Sequence, residues 1–419
     1  MRVLAITKIF PNALEPLSAP FNRQQFSALA KRCRLDVMAT IPWFPGAGLA
    51  SRWSSAGALA EVPDDEIIDG ISVTHPRTLF IPRVGHSLWG PMYAASIARA
   101  VMRYRGKVDV VLGSWAYPDG FAAVIAARLL NVPCVVKLHG SDINQIAKLA
   151  GPRRLLSWAL PRAAKVVAVS RALADEANAL GVPREKIAIV MNGVDGTLFH
   201  PRDRAEARTQ LGLPPGPLAV YVGNLKADKG VLDLAAAWAQ VREDLPHATL
   251  AIVGNGPARE ELVRAVAPFG DSVRVVGAVP LDQVPVWMAA CDVLTLPSHA
   301  EGTPNVVLEA LASGRRVVAT RVGGIPDLIT TPELGELVPA KDPTALSRAL
   351  TVALRTPYIP DTVAEQGARG GWDASAAALH EVLVGAARAS YAEVSCGPAP
   401  LSPSSVTAGT RPNSPPPPG

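Results

Sequence analysis

The sequence predicts an α/β protein built from two mainly parallel-sheet domains that face each other across a cleft. Three observations carry that prediction. Short apolar runs of strand length alternate with longer amphipathic stretches along nearly the whole chain, the pattern of strands joined by crossover helices. The alternation restarts once, after the proline-rich stretch from Pro201 to Pro217. The chain's 419 residues exceed what one hydrophobic core ordinarily organises and suit two domains.

Composition agrees with a packed globular chain, at 49% hydrophobic and 18% charged residues. No apolar run approaches the roughly 20 residues that span a bilayer. The opening Met1-Arg2-Val3-Leu4-Ala5-Ile6 is shorter than a secretory signal and is soon followed by Lys8, so it reads as a first strand and the expected location is cytoplasmic. Cys33, Cys134, Cys291 and Cys396 stand far apart, which makes free thiols the expectation. Charge is uneven: residues 1–215 hold 26 Lys and Arg against 16 Asp and Glu, whereas residues 216–419 hold 15 against 20. A basic half suits an anionic membrane surface or a lipid-linked phosphate, although scattered solvated arginines give the same balance. No recognition motif or aromatic-basic interleaving points to nucleic acid.

The first domain is expected over residues 1–195. Val3 to Ile6 is a strand, followed by a Pro-rich loop from Phe10 to Phe21, a helix near Arg23 to Lys31, and a second strand at Leu35 to Ala39. Residues 42–90, rich in Gly, Pro and Ser around Trp43, Trp53 and Trp89, read as long loops suited to acceptor contacts. A helix from Pro91 to Lys107 carries Arg99, Arg103 and Arg105 beside Tyr93, Ile97 and Val101. Two further strands, Val108 to Gly113 and Cys134 to Leu138, follow, the second ending in His139-Gly140-Ser141-Asp142. A lone histidine is ordinarily structural, and Asp142 reads either as orienting its neighbours or as the cap of the next helix. Residues 148–165 mix Lys148, Arg153, Arg154, Arg162 and Lys165 with Leu155, Leu156 and Trp158, a composition equally suited to lipid headgroups and to a plain surface helix. A strand at Val166 to Ser170, a helix at Arg171 to Leu180, and a strand from Ile187 into the turn Asn192-Gly193-Val194-Asp195 complete the domain.

Residues 196–217 read as a linker stiffened by prolines. The second domain, expected over 218–372, opens with the strand Leu218 to Val222 and the glycine turn Gly223-Asn224-Leu225-Lys226-Ala227-Asp228-Lys229-Gly230. Lys229 there is placed to face a diphosphate. The strands Leu250 to Val253 and Val273 to Gly277 follow. An amphipathic helix over 373–393 is expected to cross back to the first domain, and a disordered tail over 394–419, with eight prolines from Cys396 onward, to end the chain.

The stretch Ser298 to Ile329 carries the chemistry. The apolar run Val293 to Leu296 leads into His299-Ala300-Glu301-Gly302-Thr303-Pro304-Asn305-Val306-Val307-Leu308-Glu309, a strand-to-helix turn. Gly302 permits close backbone approach, and Pro304 presets the first helical position, so the free amides of Asn305 to Val307 can face an anion such as a diphosphate. Singly, Glu301 reads as a solvated turn residue and Glu309 as a surface helix residue. Together beside an anion site they suit neutral hydroxyl donors, a ribose diol and a sugar.

Two glutamates separated by seven residues, followed by Val317-Val318-Ala319-Thr320-Arg321-Val322-Gly323-Gly324-Ile325-Pro326, resemble the retaining family-4 glycosyltransferases of the GT-B fold, over most of residues 1–390. The resemblance implies two Rossmann-like domains and a nucleotide-diphosphate sugar, UDP- or GDP-linked, transferred to a glycan, glycolipid or lipid-linked acceptor. Glu309 would hold the ribose and Lys229 the diphosphate. Glu301 with the Gly302 and Thr303 amides would hold sugar hydroxyls, His139 would contact the sugar near the reacting carbon, and the backbone after Gly277 would receive the base. No Asp-x-Asp triplet occurs, so neither metal nor cofactor is expected. The chain departs from the family at Asn224, where an arginine is common, and at Ser18-Ala19-Pro20-Phe21-Asn22-Arg23, where a Gly-Gly pair is common. Those departures keep two other readings open: a nucleotide-sugar-binding protein with lost or altered transferase activity, and a GT-B epimerase.

Overall fold

The structure, a computed structural model, describes residues 1–44, 59–79 and 86–395. Its first sheet contains β1 (Arg2–Thr7), β2 (Arg34–Ala39), β4 (Asp65–Ile68), β5 (Ile71–Thr74), β7 (Val110–Ser114), β8 (Cys134–Leu138), β9 (Lys165–Ala168) and β10 (Ile187–Ile189), while β3 (Ile41–Trp43) and β6 (Arg77–Leu79) pair separately. The order is β10-β9-β8-β7-β1-β2-β5-β4. All neighbours in it are parallel except β4, which runs antiparallel to β5 at the edge. The second sheet holds β11 (Leu218–Val222), β12 (Thr249–Val253), β13 (Val273–Gly277), β14 (Val293–Leu296), β15 (Arg316–Thr320) and β16 (Gly335–Val338), in the order β13-β12-β11-β14-β15-β16 and parallel throughout. Their strands are near-continuous apolar runs because helices cover both faces.

In each sheet the chain reverses its direction of travel beside the first strand, between β1 and β7 and between β11 and β14. A doubly wound sheet opens a ligand crevice at that point, beyond the carboxyl ends of its strands.

Several elements differ from the sequence expectation. Residues 59–79 are not loop: Glu66 to Ile68 pair with Ile71 to Val73 across the turn Asp69-Gly70, where both residues take positive φ, and this hairpin extends the sheet. Trp89 lies in a helix, His86–Met102, that starts earlier and stops sooner than expected. Residues 45–58, with Trp53, and residues 396–419, with Cys396, fall outside the described residues. The linker contains a helix, Arg204–Leu211, because Asp203 accepts the Glu206 amide at 2.7 Å and Gly212 closes it in the left-handed conformation. Ala207 of that helix packs with Trp287, Ala289 and Ala290.

The last described helix, Trp372–Ser395, leaves the second sheet and lies on the first. Its Trp372, Ala376, Leu379, Leu383 and Ala386 join one core with Phe26, Leu29, Val3, Val110 and Leu112. Gly193 packs so tightly on Gly371 and Trp372 that a Cβ there would stand 2.4 Å from the Trp372 nitrogen. Cys134 and Cys291 are buried free thiols and Cys33 is half-buried and free. Among the described residues no helix is long and apolar enough to cross a membrane.

Candidate functional site

The carboxyl ends of the two sheets meet around a cleft of about 700 Å³. Phe21, Trp115 and His139 wall it on one side, and Asn224, Lys226, Lys229, Glu301, Gly302, Thr303, Pro304, Asn305 and Val306 on the other.

Lys229 follows β11 in a short 3-10 turn that Gly230 ends at φ 66, so its side chain leaves the loop towards the Glu301 turn. Its ammonium donates to Glu301 Oε1 at 2.6 Å, and Ser298 Oγ donates to the same oxygen at 2.7 Å. The pair sits at the boundary of solvent, with Glu301 nearly enclosed. A carboxylate fixed by two donors on one oxygen keeps the other for hydroxyl donors.

The turn itself is set by backbone contacts that exclude side chains. A Cβ on Gly302 would fall 2.0 Å from the His139 carbonyl oxygen, and one on Gly140, at φ 138, would fall 2.7 Å from Gly302 Cα. Glycine is required on both sides of this contact. Asn144 donates to the Glu301 carbonyl at 2.9 Å, Asn192 donates to Asn305 Oδ1 at 2.9 Å, and Thr303 donates to the Val169 carbonyl. These bonds hold the two domains closed against each other.

Pro304 is the cap of the helix Asn305–Ala312 rather than its first residue. That shift reduces the free amides to Asn305 and Val306, because the Val307 amide donates to the Pro304 carbonyl at 3.1 Å. Asn224 is exposed on the cleft and its carbonyl accepts from the Tyr221 hydroxyl at 3.0 Å; Lys226 beside it is also exposed.

Two expected site residues are not among those that wall the cleft. Glu309, a helical turn behind Asn305, does not line the cleft; it is half-buried among groups that desolvate its carboxyl and push its pKa up to about 7. Gly277 ends β13 at φ 90, with its carbonyl accepting the Gly254 amide at 2.7 Å, and it does not line the cleft either.

His139 is held in one tautomer by a chain of bonds. Asn22 donates to the Ile9 carbonyl at 2.9 Å, so its Oδ1 must accept, and it does so from Ser114 Oγ at 3.0 Å. With its proton spent there, Ser114 Oγ accepts from His139 Nε2 at 2.9 Å. Nδ1 is then the acceptor. Burial, reinforced by Lys137, holds the imidazole pKa well below its usual range, so the ring is neutral. Asp142 does not cap a helix by the usual route: Gly140 holds the cap position, and the Asp142 carboxylate collects the amides of Ala116 at 2.7 Å, Gly140 at 2.7 Å and His139 at 3.2 Å. Burial still raises its pKa. Asp142 therefore fixes the backbone that carries His139.

Trp115 was not foreseen. Its ring stacks on His139 at 5.6 Å between centroids and 24° between planes, and Phe21 approaches the imidazole from 5.2 Å. The signal was present in the position, one residue past the end of β7, the place a doubly wound sheet reserves for ligands.

Two facing Rossmann-like sheets, a crossover helix returning to the first, and a cleft between their carboxyl ends define the GT-B class. Within it, the Glycosyltransferase Family 4 profile matches residues 54–197 and the Glycosyl transferases group 1 profile matches residues 216–356. The chain belongs to the family-4 glycosyltransferases. It is 32% identical over 359 residues to the Bacillus subtilis (strain 168) protein TuaC, named for teichuronic acid biosynthesis, which covers 84% of this chain and 88% of the relative. It is 31% identical over 307 residues to a D-inositol 3-phosphate glycosyltransferase of Streptomyces scabiei, across 67% of this chain and 69% of that one. Among solved structures, Anabaena Alr3699/HepE in complex with UDP superposes with a TM-score of 0.66 at 20% identity, over 94% of this chain and 100% of that one. The apo lipopolysaccharide outer core galactosyltransferase WaaB does so with 0.65 at 15% identity, over 92% and 99%. These two likenesses concern the fold.

Proposed function

We propose that this glycosyltransferase moves a hexose from a UDP- or GDP-sugar to a glycan, glycolipid or lipid-linked acceptor with retention of anomeric configuration. The observation that carries the reading is the convergence of Lys229, Glu301, the Asn305 and Val306 amides and His139 on one cleft. The diphosphate lies between Lys229 and the helix start, where a positive charge and free amides stabilise the charge that grows as the sugar departs. Glu301 and the Nδ1 acceptor of neutral His139 receive sugar hydroxyls. The bond from the anomeric carbon to the diphosphate oxygen breaks, the bond to the acceptor oxygen forms, and the leaving phosphate takes the acceptor's proton. The closed contact between Gly140 and Gly302 keeps out the water that would compete with the acceptor.

Release of nucleoside diphosphate from a panel of UDP- and GDP-sugars tests the reading. Lys229→Ala is expected to lower kcat by about 10²–10³-fold, the cost of removing one such charge-stabilising group. Turnover of the wild type is expected to survive EDTA, since Lys229 and the amides occupy the role of a metal. Donor binding without turnover would instead identify a nucleotide-sugar-binding protein, a reading that Asn224 in the phosphate loop favours. Conversion of donor with no acceptor present would identify an epimerase.

The basic residues of the first domain also support placement on the inner face of an anionic membrane. Arg128 and Arg162 lie 5.0 and 4.9 Å from the Trp158 ring, and Arg153 and Arg154 are exposed on the same helix. Cosedimentation with vesicles containing anionic lipid, lost on Arg153→Glu with Arg154→Glu, checks this.

A further inference from the structure

We propose that Lys137, buried behind the cleft, is a positioning residue for the nucleotide-sugar donor: through Asn192 it fixes the side-chain amide of Asn305 with its N–H groups turned to the cleft, adding a third donor to the helix start. The inference rests on the donor-site reading above and adds to it a residue that touches no ligand.

A row of hydrogen bonds carries this, because one end of the row dictates the polarity of the rest. Lys137 and Gln25 are fully buried and Asn192 is nearly so. Lys137 Nζ donates to Gln25 Oε1 and, at 3.4 Å, to Asn192 Oδ1. Charged or neutral, a lysine amine has protons enough for both oxygens. Gln25 is held in the same sense from its other end: its Nε2 donates to Ser375 Oγ at 2.9 Å, and that hydroxyl gives its own proton to the Met191 carbonyl at 2.6 Å. Turning the Asn192 amide over would set N–H against N–H in a buried site, which costs more than the bond itself is worth. The Asn192 oxygen therefore faces Lys137, and its Nδ2 faces Asn305.

The same logic continues across the boundary between the domains. Asn192 Nδ2 donates to Asn305 Oδ1 at 2.9 Å. With that oxygen occupied, Asn305 Nδ2 remains; it makes no hydrogen bond among the described residues, and it is not sealed from solvent. Asn305 and Val306 line the cleft, and their backbone amides are the free ones of this helix start. Three N–H groups from adjacent positions thus serve one volume, an arrangement that suits phosphate oxygens. Without Lys137, either orientation of the Asn192 amide pairs with Asn305, and in one of them Asn305 presents its oxygen to the diphosphate instead.

A double-mutant cycle separates this role from plain structural support. The full chain is measured as wild type, Lys137→Met, Asn305→Ala and the pair, by calorimetry with UDP-glucose and GDP-mannose and by kcat/KM for nucleoside diphosphate release. Lys137→Met, uncharged and of similar length, is expected to weaken donor binding by about three- to tenfold, the loss of one oriented hydrogen bond, and to have no further effect where Asn305 is already alanine. Asn192→Asp tests the same orientation without touching the buried lysine. It only accepts, so it is expected to turn the Asn305 amide over, and its cost is expected to shrink by the same factor in the Asn305→Ala background, where only the added charge is left. In a chain labelled with nitrogen-15 asparagine, Lys137→Met is expected to shift the Asn305 side-chain resonances, identified by their loss in Asn305→Ala. Additive losses in the cycle, or Asn305 resonances that Lys137→Met does not move, overturn the proposal. A wild type that neither binds nor consumes either sugar overturns the donor-site reading instead, and there the resonance shift alone decides whether Lys137 sets the Asn305 amide.

Discussion

Lys137 has no solvent exposure, yet it sits in the middle of β8 with its ammonium directed to Gln25 and, at 3.4 Å, to Asn192. Two neutral amides do not replace hydration, so burial lowers its pKa from 10.5 to about 7, against the opposing pull of Asp142. The unfolded chain therefore binds more protons than the folded one between pH 7 and 10.5, and stability rises with pH through that window. His139 acts in the same sense lower down: its folded pKa lies well below 6.5, so stability is lost as pH falls beneath 6.5. Urea midpoints measured from pH 5 to 10 should climb accordingly. Lys137→Met should flatten the upper half of that climb and leave the lower half.

Position matters more than identity in the elements around the cleft. The helix Asn305–Ala312 buries Val307, Leu308, Ala310 and Leu311 against the second core, which aims its first amides across the cleft. What it faces is set by the strand-end turns, where backbone meets backbone at Gly140 and Gly302. Gly302→Ala should force the domains apart locally. A displacement of about 1 Å at reacting atoms costs roughly 10²-fold in rate. The expected outcome is a hundredfold loss of nucleoside diphosphate release with a far-UV spectrum unchanged, since each sheet's own core is untouched.

At the scale of the molecule, the returning helix Trp372–Ser395 makes the first domain depend on the chain's far end. Leu383 is fully buried in the core it shares with Phe26 and Val110. Leu383→Ala should cost about 2–5 kcal/mol, as core truncations of this size do. Denaturation followed by site-specific probes should show the first domain's transition moving to lower urea while the second domain's stays in place. The same helix ties closure to folding, because Ser375 accepts from Gln25 at 2.9 Å and donates to the Met191 carbonyl at 2.6 Å, beside the Asn192 that reaches Asn305.

The sequence by itself determined the two-sheet architecture and the strand-to-helix turn at Glu301, because buried parallel strands are written as apolar runs and a tight turn that leads into a helix needs glycine and proline at adjacent positions. It also contained the linker helix, in the spacing of Asp203 and Glu206, a cap signature hidden among prolines. Tertiary structure decided what such local patterns do not encode. Only the packed fold brings Trp115, Lys8 and His139 together across β1, β7 and β8, and decides between the two roles open to Asp142 by setting its carboxylate on the backbone that carries His139. Those outcomes depend on which strand ends become neighbours, and that is fixed by the order of strands in the sheet rather than by the order of residues in the chain.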